Sequence, residues 1–175
     1  EQGAAHAADG YARATDKVGV CLATSGPGAA NLVTGIANAY IDSVPMVAIT
    51  GQVARPFVGK DAFQEIDITG ITLPITKHNY LVLRVEELAG VVKEAFHLAR
   101  TGRPGPVLID IPRDVFTDEA FFAYPEKVDL PGYDPTLYGH PLQIKKAAQL
   151  INGAKRPLII AGRGVLISKA HPQLK

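Results

Sequence analysis

Val18-Gly19-Val20-Cys21-Leu22-Ala23-Thr24 runs straight into Ser25-Gly26-Pro27-Gly28-Ala29-Ala30-Asn31. The first seven residues are an apolar, partly β-branched run bounded by a Gly-Pro turn, which reads as a buried strand. Beyond the turn, residues 29–41 are an Ala-rich helical stretch. Outward from this unit the alternation continues. Residues 45–50 (PMVAIT) read as a second buried strand ended by Gly51, residues 51–67 as irregular, and residues 76–83 as a third strand. Residues 85–100 place Leu88, Val91, Val92, Ala95, Phe96 and Ala99 on one helical face, and the helix exits through Thr101-Gly102-Arg103-Pro104-Gly105-Pro106. Residues 106–111 (PVLIDI) are a fourth buried strand. Apolar strands alternating with helices predict an α/β fold with a parallel sheet covered on both faces.

From residue 116 to 141 Pro, Asp, Gly and Tyr accumulate and periodicity is lost, as in an interdomain linker. A helix over 142–151 and a strand over 157–161 (PLIIA), followed by Gly162-Arg163-Gly164, read as the opening of a second α/β domain. The expected organisation is a first domain over 1–118, a linker over 119–141 and the start of another domain over 142–175. The chain therefore reads as a piece of a longer protein. Its 175 residues are 47% hydrophobic, enough for about one sizeable core. With 18 basic and 17 acidic residues there is no basic stripe for nucleic acid. Apolar runs stop well short of the ~20 residues a membrane span needs, and no targeting segment is visible, so a cytoplasmic protein is expected. The single cysteine, Cys21, lies inside a strand and reads as a small buried hydrophobe.

Five places carry side chains suited to chemistry. Glu1 leads into an Ala- and Gly-rich segment (residues 2–12) whose small side chains permit close helix packing. The carboxylate either sits at a tight, dry interface with a raised pKa or is a solvated acid favoured by the helix dipole. The turn at 25–28 either brings backbone close to a ligand or is an ordinary strand-to-helix turn; it is neither a Walker loop nor G-x-G-x-x-G. In the loop Gly59-Lys60-Asp61-Ala62-Phe63-Gln64-Glu65, Gln64 is a candidate ligand contact, and Phe63 either walls off water or anchors the loop to the core. Lys77 and His78 open a strand, either facing an anion or forming a charged strand end. Arg103 is held in a stiff turn, aimed at a phosphate or flavin or simply exposed. His6, His97 and His140 have no second ligand at metal-like spacing, so no metal is assigned to this chain.

The blocks EQGAAHAADGYARA, ATSGPGAANLVTGIANAY, DSVPMVAITGQV, DAFQE, ITKHNYLV and GRPGPVLIDIPRDV resemble, in order and spacing, the catalytic subunit of the acetolactate (acetohydroxyacid) synthase family of thiamine-diphosphate enzymes. The resemblance is close over residues 1–115 and weaker to 175. It implies most of a pyrimidine-binding domain, without its first strand and helix, followed by the start of a central FAD-associated domain. It assigns Glu1 to the glutamate that shares a proton with N1′ of the cofactor aminopyrimidine, the step that leads to the reactive thiazolium carbon. Pro27 and Asn31 match residues beside that ring, and Gln64 a residue reaching the substrate, with Phe63 and Lys77 lining the approach. Arg103 matches an FAD contact. The implied reaction decarboxylates pyruvate and joins the two-carbon unit to pyruvate or 2-oxobutyrate, for branched-chain amino acid biosynthesis.

The same resemblance puts the Mg²⁺ and diphosphate ligands on another domain and implies a homodimer or homotetramer, with a possible regulatory small subunit. A chain holding half a site is expected to be inactive alone. Ala54 and Pro56 fall where family members differ, which bears on access to the site. Two other functions fit parts of the pattern: a related thiamine-diphosphate decarboxylase or lyase, and a non-catalytic interaction module.

Overall fold

Four strands, Gly19–Ala23 (β1), Met46–Gln52 (β2), His78–Leu81 (β3) and Pro106–Pro112 (β4), form one all-parallel sheet in the order β1-β2-β4-β3. They belong to a computed structural model that describes residues 1–175. The registers Gly19↔Met46 and Met46↔Pro106 start three strands at one level, and His78↔Val107 sets the fourth one residue later. All four strands therefore point toward one carboxyl edge, where ligands bind in open parallel sheets.

Helices Gln2–Thr15 (α1) and Val33–Ile41 (α3) cover one face, closing over Ala5, Ala8, Ile36, Met46, Ala48 and Leu108. The small side chains of α1 make this possible. A Cβ at Gly19 would collide with the Ala8 carbonyl, and one at Gly35 with the Ala5 side chain. Helix Val85–Arg100 (α5) covers the other face, packing Ala95, Leu98 and Ala99 onto Val47, Val107 and Ile109. Its cover is incomplete. Val20 and Leu22 on β1 are 48% and 64% exposed, because α5 lies over β2, β4 and β3. An apolar strand thus did not guarantee two buried faces.

The helix expected over 29–41 is two pieces, Pro27–Ala30 (α2) and α3, separated at Asn31 and Leu32. Ile68–Thr72 (α4) was not expected. It starts where Asp67 Oδ1 accepts the Gly70 N–H at 2.9 Å, an N-cap that satisfies one of the helix's free donors.

Two compact units divide the chain, 1–134 and 135–175. Residues 119–134, read as linker, lie along α5 in the first unit. The Lys93 Nζ donates to the carbonyls of Pro125 and Glu126, and the Tyr133 hydroxyl donates to the Thr101 carbonyl at 3.0 Å. The second unit contains Pro141–Gly153 (α6), Arg163–Ile167 (α7) and His171–Leu174 (α8), with no buried residue. The strand expected over 157–161 is not formed. Its backbone donors and acceptors have no second strand in the unit to pair with, and Leu158, Ile159 and Ile160 are exposed. No helix is long and apolar enough to cross a membrane.

Candidate functional site

Because the strands are parallel, the residues that follow them gather at one edge: Thr24 and Ser25 after β1, Val53 after β2, Arg113 after β4. Helix α1 runs antiparallel to β1, and its 14 residues span about 21 Å. That length returns Glu1 to the same edge.

Glu1, Gly28 and Asn31 meet there. Asn31 Nδ2 donates to Glu1 Oε2 at a long 3.4 Å, and a Cβ at Gly28 would lie 3.4 Å from Glu1 Oε1 and 2.7 Å from Thr24 Cγ2. Glycine at 28 therefore keeps one side of the carboxylate clear. Pro27 is the first residue of α2, where a missing N–H costs nothing. Gly26 has φ +61° and ψ −125°, a conformation open to glycine, and its α-carbon faces the Gln64 carbonyl, 2.7 Å from where a Cβ would stand. This turn brings backbone and carboxylate together at the carboxyl edge. The dry setting expected for Glu1 is not present within the chain, where the residue is exposed.

Beside this cluster opens a cleft of about 610 Å³, walled by Thr24, Val53, Ala54, Phe63, Gln64 and Arg113. One wall is the loop expected to be functional. The Glu65 carboxylate accepts backbone N–H groups from Gly59, from Lys60 at 3.2 Å and from Ala62 at 2.9 Å. Those bonds, that from Ala62 foremost, hold the Glu65 carboxyl below its ordinary range. Curling around Glu65 leaves Asp61 and Gln64 at φ 54° and 61°, unusual for residues with side chains. Phe63 is 90% exposed, so it does not anchor the loop to the core but stands at the cleft. The start of the loop is tied down separately: Arg55 pairs with Asp114 at 2.7 Å and Asp118 at 2.6 Å and donates to the Leu83 carbonyl.

Lys77 is a correction. It lies at the opposite, amino-terminal edge, level with the first residue of β4, to whose Pro106 carbonyl its N–H donates at 2.8 Å. The distance along β4 to the cleft, seven residues, is roughly 23 Å. Its ammonium donates to the Leu98 carbonyl and, at 2.7 Å, to that of Thr101, and so caps the C-terminus of α5. Arg103 is at the same edge, its Nε donating to Ser43 Oγ at 2.7 Å. Its Nη2 donates to the Ile41 carbonyl at a long 3.4 Å, and the residue is exposed, beside a hollow of about 270 Å³ that also includes Tyr40 and Pro104.

Sequence reading passed over Arg113, the first residue beyond β4; its position just past a parallel strand was the available signal. It also passed over Glu65, whose role needs the loop's path, and Asp110, hidden inside an apolar run. Cys21 is buried, and burial pushes its thiol up to about 11, so it is an inert small hydrophobe. A second cleft of about 650 Å³ lies between α5 and residues 118–124, on the flank of the sheet and not at the strand ends.

Residues 1–71 match the family described as thiamine pyrophosphate enzyme, N-terminal TPP binding domain. The chain is 62% identical over 176 residues to the acetolactate synthase of Arthrospira platensis, covering 99% of this chain and 30% of that protein. It is 58% identical over 175 residues to the acetolactate synthase large subunit of Corynebacterium glutamicum, covering 100% of this chain and 28% of that protein. A probable acetolactate synthase large subunit of Methanocaldococcus jannaschii is 58% identical over 177 residues, with 99% and 30% covered. The chain thus spans less than a third of the length of these relatives.

Proposed function

We infer that this chain, which belongs to the acetolactate synthase family of thiamine-diphosphate enzymes, builds the pyrimidine side of the cofactor site and one wall of the substrate approach. The residues present fit the cofactor's ring. A carboxylate acceptor (Glu1), an amide that steadies it (Asn31) and a glycine that leaves its other side clear (Gly28) suit a flat heterocycle with a protonated ring nitrogen. Thiamine diphosphate, when bound, supplies the thiazolium carbon at which a 2-oxo acid is decarboxylated and its two-carbon unit passed on.

In this reading Glu1 holds and returns a proton at N1′ of the aminopyrimidine. Asn31 fixes its rotamer by occupying Oε2, which leaves Oε1 for the ring. Pro27 and Asn31 flank the ring. Surfaces from outside the chain close over Glu1 and exclude water from it. In the cleft, Arg113 meets the carboxylate of pyruvate or 2-oxobutyrate, Gln64 offers a hydrogen bond, and Phe63 excludes water. At the other edge, the exposed part of the Arg103 guanidinium contacts FAD. Mg²⁺ and the diphosphate are held by residues outside this chain. The working enzyme is a cytoplasmic homodimer or homotetramer; a regulatory small subunit joins it, and that last point alone is supported by the name "large subunit" among the relatives.

The observation that carries this reading is the meeting of Glu1, Gly28 and Asn31 beside the cleft. It is tested by replacing the matching segment of the Corynebacterium glutamicum large subunit with this chain and assaying acetolactate from pyruvate. Activity within about tenfold of the parent is expected, a loss of no more than ~1.4 kcal/mol in transition-state binding. A folded, cofactor-loaded chimera without activity would contradict it.

A further inference from the structure

Asp110 is 1% exposed in the interior of the sheet, where a carboxylate is costly to keep. Both its oxygens are engaged. Thr50 Oγ1 donates to Oδ1 at 2.6 Å, and Gln52 Nε2 donates to Oδ2 at 3.0 Å. Gln52 ends β2 at the edge of the cleft, and its amide is fully used: Nε2 also donates to the Ile66 carbonyl at 2.8 Å, while Oε1 accepts the Val53 N–H at 2.9 Å. Two acceptors on one side and a donor on the other fix which way the amide points. Val53 is on one rim of the cleft, and Ile66 ends the loop that forms the other.

A carboxylate is the group this wiring needs. Asparagine at 110 can accept from only one of Thr50 and Gln52. Facing Thr50 it turns its own N–H toward the N–H of Gln52. Turned over, it accepts from Gln52 through an uncharged oxygen while the Thr50 hydroxyl loses its acceptor. In either orientation the charge-assisted bond to Gln52 is gone. If Gln52 turned over in response, its contacts to Val53 and Ile66 would both be lost. The charged group facing Asp110 is Asp67, the N-cap of α4. Beside it β2 presents the neutral Thr50 and Gln52, β3 places Leu81 in register, and α3 and α4 carry no charged residue. Burial pushes the Asp110 carboxyl up to about 6, with Thr50 and Gln52 opposing the rise and Asp67 adding to it.

We propose that Asp110 is a positioning residue: acting through Gln52, its carboxylate sets the spacing of the two rims and hence the geometry of the cleft. Its consequence for 2-oxo acids rests on the cleft being their approach, as inferred above. Amide hydrogen exchange on the full chain, corrected for intrinsic rates, is the test. In Asp110→Asn the Val53 amide and those of residues 62–67 lose at least about tenfold protection near neutral pH, the equivalent of one hydrogen bond to a charged group, while α1 and β1 are unchanged. In the unsubstituted chain Val53 protection falls as pH drops through about 6, an arm that stands even if the variant does not fold. Unchanged exchange at Val53, or a uniform loss across the sheet, would overturn the proposal. In the chimeric synthase the same variant raises KM for pyruvate more than it lowers kcat. Raised exchange with an unchanged KM keeps the positioning role and overturns the cleft as the substrate approach.

Discussion

At the carboxyl edge of the sheet Arg113 stands exposed at a 610 Å³ cleft; at the amino edge Lys77 is consumed by the carbonyls that end α5. Both are cations flanking a strand, and the sequence around Lys77 looks the more reactive. Direction decides between them. Parallel strands deliver their last residues to one edge, where helix N-termini and glycine turns leave donors and space. At the other edge helices end, and a lysine there satisfies orphan carbonyls. What a side chain already bonds to is a better guide to its role than its type.

The contrast can be broken most severely at Gly26. Its φ of +61° and the Gln64 carbonyl leave no place for a methyl group, so Gly26→Ala is expected to cost about 4 kcal/mol, read by urea unfolding. A loss below ~1 kcal/mol would mean that the carboxyl-edge turn is not held as described.

Asp110 gives a pH-dependent effect of nearly the same size. Its carboxyl is raised from 3.8 to about 6 in the fold, so the native state binds the proton more tightly than the unfolded chain. The stability this group contributes is full below pH 4 and is lost as pH rises through 6, by ~3 kcal/mol. Asp110→Asn removes that dependence. Measured by unfolding at each pH, the difference between variant and parent changes by about 3 kcal/mol from pH 4 to pH 8, on top of the constant cost of the weakened Gln52 contact. Parallel stability curves for the two proteins would contradict the burial argument.

How much could be read beforehand follows the same division. Three strands and α5 were legible because long apolar runs and a 3.6-residue period are local signals, and β3 was legible from alternation over 76–83, though it forms only over His78–Leu81. Helix α4 was not, since it is five residues long and depends on the Asp67 cap. The strand over 157–161 was overread: apolar content supplies burial, but a strand also needs a partner. At the site, Glu1 and Gln64 stood out locally, Asn31 came from motif resemblance, and the chain's own path brings them to one edge. Asp110 and Gln52 were invisible because nothing local distinguishes a polar residue wired into a sheet from one interrupting it.

The amino edge yields the smallest effect. Lys77→Met removes the cap of α5 and should cost about 1–2 kcal/mol in thermal unfolding. In the chimeric synthase it should leave the KM for pyruvate unchanged. A KM raised about tenfold or more, with unfolding unaffected, would return Lys77 to the substrate approach and remove the distinction between the edges.

The proposed proton transfer at the cofactor ring rests on Glu1. Its most direct test is Glu1→Gln in the chimeric synthase, with cofactor binding and acetolactate formation measured together. Glutamine keeps the shape and the contact with Asn31 but cannot exchange a carboxyl proton. Retained cofactor binding with kcat lowered by at least about a hundredfold is expected. Unchanged kcat with the cofactor bound would contradict it.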